Sequence, residues 1–129
     1  MSPELSSMHG SPLRAVIVDD EKPAREKLSI LLATEADVRI VAECENGAAA
    51  VAALKQTKPD LLLLDISLPD MDGFAVLKTL PPAELPVVIF TTAYDQFAIR
   101  AFEAHALDYL LKPFDHQRLQ EALHRARLA

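Results

Sequence analysis

The sequence predicts an α/β fold in which a five-stranded parallel sheet is covered by helices on both faces. Short apolar runs alternate along the chain with segments whose apolar residues recur at helical spacing. Four runs are nearly continuous, as expected of strands buried on both faces. They span residues 15–18, 61–64, 87–90 and 107–111. A fifth run, residues 38–44, alternates more and is predicted to lie nearer a sheet edge.

Five helices are predicted between and after these strands. Their apolar positions are Ala24, Leu28, Leu31 and Leu32; Ala48, Val51 and Ala52; Phe74 and Leu77; Phe97, Ala101 and Phe102; and Leu119, Ala122, Leu123 and Ala126. Parallel strands joined by helices require right-handed crossovers, which leave few topologies. The doubly wound strand order 2-1-3-4-5 is a common arrangement for a chain of this size.

Length and charge narrow the classes of function. The 129 residues suit one domain, assigned to residues 13–129, and the Ser-, Pro- and Gly-containing residues 1–12 are predicted to be a flexible leader or a cloning remnant. The net charge of −6 argues against nucleic-acid binding by this domain. A lone cysteine, Cys44, allows no internal disulfide and favours a cytoplasmic location. The apolar runs are too short to span a membrane.

Polar residues close four of the five predicted strands. They are Asp19 and Asp20 after the first strand, Asp65 after the third, Thr91 and Thr92 at the fourth, and Lys112 after the fifth. In a doubly wound sheet, ligands bind beyond the carboxyl ends of the strands. We therefore expect three carboxylates, a hydroxyl and an ammonium group to converge at one rim of the sheet.

This set of side chains favours phosphoryl chemistry with a metal ion. Three crowded carboxylates repel one another, and Mg²⁺, which prefers oxygen ligands, relieves that repulsion. Lys112 can neutralise added negative charge, and Thr92 can donate a hydrogen bond to a phosphoryl oxygen. No glycine-rich phosphate cradle is present, so a nucleotide is not the natural ligand. An aspartate nucleophile, a metal ion and a lysine suit phosphoryl transfer onto a carboxylate.

Four fragments in this order and spacing resemble the receiver domain of bacterial two-component response regulators, which has the CheY-like fold related to that of flavodoxin. The fragments are VDDE at 18–21, LDISLPDMDG at 64–73, FTTA at 90–93 and DYLLKPF at 108–114. The resemblance extends from residue 14 to about residue 127. Residues 92–103 further resemble the receivers of the LytTR group, which usually precede a DNA-binding LytTR domain.

The resemblance implies a role for each matching residue. Asp65 is the implied phosphoacceptor, and the implied Mg²⁺ ligands are Asp19, Asp20, Asp65 and the backbone carbonyl of Ser67. Phosphoryl-binding or switch roles are implied for Thr92, Lys112 and Tyr109, a cis peptide bond before Pro113, and an influence on phosphoryl lifetime for Ser67 and Tyr94.

The same resemblance implies the partners. A histidine kinase donates the phosphoryl group, and phosphorylation promotes a homodimer through helix 4, strand 5 and helix 5. The implied output is regulation of transcription by a separate domain. The chain itself is expected to be a signalling domain and not an enzyme, with at most slow self-phosphorylation from small donors and slow self-dephosphorylation.

Several residues also have simpler interpretations. Asp19 and Asp20 could cap the first helix, and Thr91 competes with Thr92 for the hydroxyl role because strand alternation turns only one of them toward the site. Asp70, Asp72 and Gly73 are expected to form the turn before helix 3 and to cap it. His105 is predicted to adopt a left-handed conformation at the end of helix 4. Phe97 and Phe102 fit either the core or a partner surface.

Three other functions are compatible with parts of the pattern. A Mg²⁺-dependent phosphohydrolase would need a second acid or base near Asp65 and a cap over its substrate, but Ser67 stands where a carboxylate would help. A docking module that is not phosphorylated would not need the three aspartates at the strand ends. A flavodoxin would need a phosphate-binding loop after strand 1, where Asp19, Asp20 and Glu21 stand instead.

Overall fold

Strands and helices alternate throughout the computed structural model, which describes residues 12–129. The strands are β1 (Leu13–Val18), β2 (Val38–Cys44), β3 (Leu61–Asp65), β4 (Val87–Thr92) and β5 (Asp108–Leu111). The helices are α1 (Lys22–Ala33), α2 (Gly47–Thr57), α3 (Gly73–Lys78), α4 (Ala98–Glu103) and α5 (His116–Leu128), with a 3₁₀ turn at Pro82–Glu84. The expected leader lies outside the described residues, apart from Pro12. Within this described part of the chain, every helix is too short or too polar to cross a membrane.

The five strands form one parallel sheet in the order β2-β1-β3-β4-β5. This confirms the predicted topology and the predicted edge position of β2. The opposite edge is β5. The order places β3 at the centre of the sheet, so that the residue following its apolar run lies between the ends of β1 and β4.

Both faces of the sheet are buried, which explains why the central strands are apolar without interruption. Alternate residues of β1, β3 and β4 point to opposite faces. On one face Val16, Leu62, Leu64 and Phe90 pack with residues of α2, α3 and α4. On the other face Ala15, Ile17, Leu61, Leu63 and Ile89 pack with residues of α1 and α5.

The region around α4 confirms one prediction and resolves one alternative. His105, just after α4, has a φ of 62°, in the left-handed region that was predicted for it. The two phenylalanines, grouped by spacing on one helix face, separate in the structure. Phe97 is half-buried and packs against the core, whereas Phe102 is 82% exposed. Phe102 therefore belongs to the surface of the helix and not to its buried face.

A charged cluster fastens the end of α5 to the turn between α1 and β2. The Arg127 guanidinium donates to both Asp37 carboxylate oxygens at 2.6 and 2.7 Å and to Glu35 Oε1 at 2.9 Å. The hydrogen bonds from Arg127 lower the pKa of Glu35 and of Asp37 in spite of the opposing effect of burial. The cluster joins residues far apart in sequence and holds α5 against the sheet.

We expect Arg127→Gln to lower the free energy of unfolding by about 1 kcal/mol at pH 7, because a two-pronged, partly exposed charge pair is lost. The carboxylates have ordinary pKa values of 4.5 and 3.8, which folding lowers. Their contribution is therefore present above this range and is lost as the pH falls through the lowered values. Urea unfolding should show that the difference in stability between wild type and variant becomes smaller as the pH falls below these ordinary pKa values. Arg39→Gln, at an exposed position of β2, is the matched control, and a pH-independent difference would contradict the assignment.

Candidate functional site

The carboxyl ends of β1, β3, β4 and β5 hold the polar residues that the sequence places there. Backbone hydrogen bonds fix each segment as it leaves its strand. Asp19 N–H donates to the Cys44 carbonyl at 3.0 Å, Ile66 N–H to the Thr91 carbonyl at 3.3 Å, and Lys112 N–H to the Thr92 carbonyl at 2.7 Å. These bonds continue the sheet by one residue. The backbone at Asp19, Asp65 and Lys112 is therefore held in place by the sheet.

Lys112 joins two of the carboxylates. Its ammonium group donates to Asp19 Oδ2 at 2.6 Å and to Asp65 Oδ2 at 3.0 Å. The Asp19 side chain is fully buried, and the Asp65 and Lys112 side chains are 6% and 19% exposed. A buried charge without a partner is costly, so each of these groups depends on the others.

The pKa values reflect burial and this pairing. Burial raises the pKa of Asp65, and the charge of Lys112 and the Ser67 N–H offset only part of that effect. Burial alone lowers the pKa of Lys112, but the hydrogen bond to Asp19 and the charge and hydrogen bond of Asp65 raise it overall. Lys112 is therefore an ammonium ion at neutral pH.

A divalent cation fits the acidic side of this cluster. Oxygen atoms of Asp19, Asp20 and Asp65 lie within 4.8 Å of one another, and Asp20 is exposed whereas the other two are buried. Hard oxygen ligands with one side open to water suit Mg²⁺, which keeps several waters in its shell. Ser67, also expected as a ligand, lies beside the cluster, since its N–H donates to Asp65 Oδ1 at 3.0 Å.

The two threonines at the end of β4 are both fully buried but differ in their partners. The Thr92 hydroxyl accepts a hydrogen bond from the Tyr94 N–H at 3.3 Å. Thr91 pairs in register with Asp65, and its hydroxyl has no hydrogen-bond partner within residues 12–129. Neither hydroxyl forms a hydrogen bond with Asp65 or Lys112, so the choice of Thr92 for the phosphoryl-binding role stays a prediction.

Tyr109 of β5 contacts the loop that follows β4. Its side chain packs against the core, and its hydroxyl donates to the backbone carbonyl of Tyr94. Burial raises the pKa of Tyr109. The Tyr94 side chain itself is 50% exposed. The Lys112–Pro113 peptide bond is cis.

The simpler interpretation of the first acidic pair does not hold. The residue that precedes α1 is Glu21, and its side chain makes no capping hydrogen bond. Asp19 Oδ1 instead accepts the Glu21 N–H at 2.9 Å, so the same carboxylate holds the loop after β1 and pairs with Lys112. Asp20 lies in the acidic cluster.

Two sets of polar contacts were not recognised from the sequence. Asp108 accepts hydrogen bonds from Arg118 at 2.6 and 3.0 Å and from Arg125, which fastens α5 to the start of β5. Asp72 caps α3 as expected, but Asp70 caps α2 instead. The available signal for Asp70 was Gly47 at the start of α2, since a glycine often marks a close approach of another segment.

Comparison with known proteins identifies the family. The model of the response regulator receiver domain matches residues 15–124. The chain belongs to this family. A receiver domain is a signalling domain of a two-component response regulator and not a classical enzyme; such domains generally bind Mg²⁺ and generally have a histidine kinase as partner.

Relatives and solved structures agree with this assignment. The chain is 51% identical over 113 residues to an uncharacterized response regulatory protein of Yersinia pestis, covering 88% of the chain and 48% of the relative. It is 47% identical over 115 residues to the transcriptional regulatory protein BtsR of Salmonella typhi, covering 89% and 48%. The receiver domain thus spans about half the length of these relatives. The response regulatory domain of protein mrkE from Klebsiella pneumoniae superposes with a TM-score of 0.82 at 31% identity, covering 90% of this chain and 96% of that one.

Removing the ammonium group should change the titration of Asp65. In Lys112→Met we expect the pKa of Asp65 to rise further, because burial then acts without the opposing charge. Carboxyl-carbon NMR titration in the absence of divalent cations measures this. Lys22→Met, at a side chain that is 77% exposed, is the control and should leave the titration unchanged. An unchanged Asp65 pKa in Lys112→Met would show that the pairing is not electrostatically important.

Proposed function

We propose that this receiver domain accepts a phosphoryl group on Asp65 from a histidine kinase in a Mg²⁺-dependent reaction. The observation that carries the proposal is the position of Asp65: a buried carboxylate 3.0 Å from the Lys112 ammonium and within 4.8 Å of the oxygens of Asp19 and Asp20. A nucleophile, a fixed cation and an oxygen-rich metal site therefore occur together.

Asp19, Asp20, Asp65 and the backbone carbonyl of Ser67 are the residues that would hold Mg²⁺. When bound, the ion neutralises negative charge on the carboxylates and on the phosphoryl oxygens. The remaining interactions come from side chains of the protein. The Lys112 ammonium group lies beside Asp65 Oδ2, and burial of the pair strengthens the attraction between the two charges.

The transfer itself exchanges one bond to phosphorus for another. An Asp65 carboxylate oxygen forms a bond to phosphorus, while the bond from phosphorus to the kinase imidazole nitrogen breaks and its electron pair returns to the ring. Because this leaves a doubly charged phosphoryl group next to Lys112, the ammonium contact stabilises the product. Thr92, at the end of the neighbouring strand, is proposed to donate its hydroxyl to the new group.

The response is proposed to pass from the site to β5. The Thr92 hydroxyl and the Tyr109 hydroxyl both bond to the backbone of Tyr94. A movement of Thr92 toward the phosphoryl group would therefore release the Tyr94 N–H and disturb the contact that holds Tyr109. Ser67 and Tyr94, which are both exposed, are the residues proposed to influence phosphoryl lifetime.

The proposed readout is a homodimer through α4, β5 and α5. Four large apolar side chains are exposed on these elements: Ile99 at 75%, Phe102 at 82%, Leu111 at 45% and Leu128 at 75%. We further propose that the parent protein is a cytoplasmic transcription regulator whose DNA-binding domain is of the LytTR type. The similarity to BtsR, a transcriptional regulatory protein, supports this output. The net charge of −6 supports DNA binding outside the receiver domain.

Intact-protein mass spectrometry tests the phosphorylation. After incubation with acetyl phosphate, the wild-type chain should gain one phosphoryl group in Mg²⁺ and none without it. Asp65→Asn should gain none, because the amide is not a nucleophile of comparable strength. Asp72→Asn, which removes a carboxylate that caps α3 outside the acidic cluster, supplies the control for loss of one carboxylate elsewhere and should gain the phosphoryl group as wild type does. An adduct that forms without Mg²⁺ or persists in Asp65→Asn would refute the assignment of the site.

Sedimentation velocity tests the dimer. Phosphorylated wild type should dimerise, and Phe102→Asp should weaken that association by on the order of tenfold or more, because a charge enters the apolar contact. Ile30→Asp makes the same change at a 68% exposed position of α1 and should not affect dimerisation. Both variants should gain the phosphoryl group as wild type does. Equal monomer–dimer equilibria with and without phosphorylation would contradict the proposed readout.

A further inference from the structure

The loop between β3 and α3, residues 66–72, is fastened to the start of α2 by one side chain. Asp70 Oδ1 accepts the Gly47 N–H at 2.7 Å, and Asp70 Oδ2 accepts the Ala48 N–H at 2.8 Å. The next amide, that of Ala49, donates to Asn46 Oδ1 at 2.8 Å. Two of the amides that a helix leaves unpaired at its start are therefore satisfied by a residue 23 positions away in sequence.

The backbone of α2 leaves no room for a side chain at this contact. A Cβ atom on Gly47 would lie 2.3 Å from Met71 Cγ, 2.9 Å from Met71 Sδ and 3.1 Å from Asp70 Oδ1. A side chain at this position would therefore have to displace the Met71 side chain and would crowd the Asp70 carboxylate. The loop and the start of α2 therefore approach closely because Gly47 has no side chain and because the Asp70 carboxylate bonds to the helix.

The loop carries groups that touch the site. At its beginning, the Ser67 N–H donates to Asp65 Oδ1 at 3.0 Å. At its end, the Gly73 N–H donates to the Ile66 carbonyl at 2.8 Å, and a Cβ on Gly73 would lie 2.9 Å from the Asp65 carbonyl oxygen. Both ends of the loop are thus held beside Asp65, whereas its middle is held by Asp70. These three attachments hold the loop that contains Ser67.

We propose that Asp70 is a positioning residue for the metal and phosphoryl site: by holding the loop on α2, it sets the place of the Ser67 backbone beside Asp65. This inference rests on the proposed function of Asp65. Asp70 is not among the residues that would hold Mg²⁺, and its two carboxylate oxygens accept hydrogen bonds from the amides of Gly47 and Ala48. A displacement of the Ser67 backbone alters the oxygen ligands available to Mg²⁺ and the hydrogen bond to Asp65.

The test compares Asp70→Ala with Asp72→Ala in the complete 129-residue chain. Asp72 lies in the same loop, carries the same charge and caps α3 through the Ala75 N–H at 2.8 Å. Two readouts are measured on each variant. NMR hydrogen exchange of the Gly47 and Ala48 amides, without metal, reports the attachment, and NMR titration with Mg²⁺ reports the affinity of the site.

We expect Asp70→Ala to speed exchange of both amides and to weaken Mg²⁺ binding by about tenfold, with slower phosphoryl uptake from acetyl phosphate. Asp72→Ala should lower thermal stability but leave Mg²⁺ affinity within about twofold of wild type. Asp70→Asn, whose amide oxygen can still accept one N–H, should lie between. Mg²⁺ affinity in Asp70→Ala equal to that in Asp72→Ala would overturn the inference and leave a purely structural cap.

A second pair of variants tests the same attachment with every carboxylate in place. Gly47→Ala should weaken Mg²⁺ binding, and adding Met71→Ala should restore it, because the closest atoms to the new methyl group are those of Met71. No restoration would count against the inference. Should wild type bind neither Mg²⁺ nor a phosphoryl group, the proposed function fails, and the role of Asp70 at that site fails with it. Should wild type bind both while Asp70→Ala matches it, only the inference about Asp70 is overturned.

Discussion

The rest of the site depends on the ion pairs that Lys112 makes with two buried carboxylates. Asp19 and Asp65 end strands that are adjacent at the centre of the sheet, whereas Lys112 follows the edge strand β5. The long side chain of Lys112 crosses this distance, and its backbone is held by the Thr92 carbonyl. Without the ammonium group, burial of two like charges so close together would favour protonation of one of them. The fold tolerates these aspartates because the end of β5 supplies the partner.

The pairing leaves the cluster with an excess of negative charge. Lys112 compensates one of the three carboxylates, and the exposed Asp20 opens the remainder to solvent. Such a site attracts a cation. An arriving phosphoryl group is itself negatively charged and is repelled by the cluster unless that cation is present. This agrees with the proposed dependence on Mg²⁺. The raised pKa of Asp65 has the same origin, since burial and the charge of Asp19 both disfavour its ionised form.

The fold could be predicted in detail because burial on two faces leaves a simple pattern. Four apolar runs and one alternating run gave the strands, and β2 is indeed at an edge. The site followed from one rule, that the carboxyl ends of parallel strands meet. The prediction of strand lengths was less complete, because Asp65, Thr91 and Thr92 are polar and yet lie within β3 and β4.

The contacts that could not be predicted are those between segments far apart in sequence. Nothing near Asp70 in the sequence indicates that its partners are Gly47 and Ala48. The predicted grouping of Phe97, Ala101 and Phe102 did not show that Phe102 is exposed. For Asp108, the partners Arg118 and Arg125 lie one and three turns along a helix whose position was unknown. Side-chain partners of this kind depend on how the elements pack and not on local pattern.

The short strand β5 connects the site with the exposed apolar surface. Within five consecutive residues, Asp108 is tied to α5, Tyr109 to the loop after β4, Leu111 is exposed and Lys112 enters the site. Alternation along the strand turns Leu110 into the core between them, where it is fully buried. Both ends of β5 make charge pairs, Asp108 with Arg118 and Arg125, and Lys112, just after the strand, with Asp19 and Asp65. The residues between these anchors are Tyr109, Leu110 and Leu111, and only Tyr109 and Leu111 reach the surface. The proposed signal therefore has a short path, through β5, from Asp65 to the surface formed by α4 and β5.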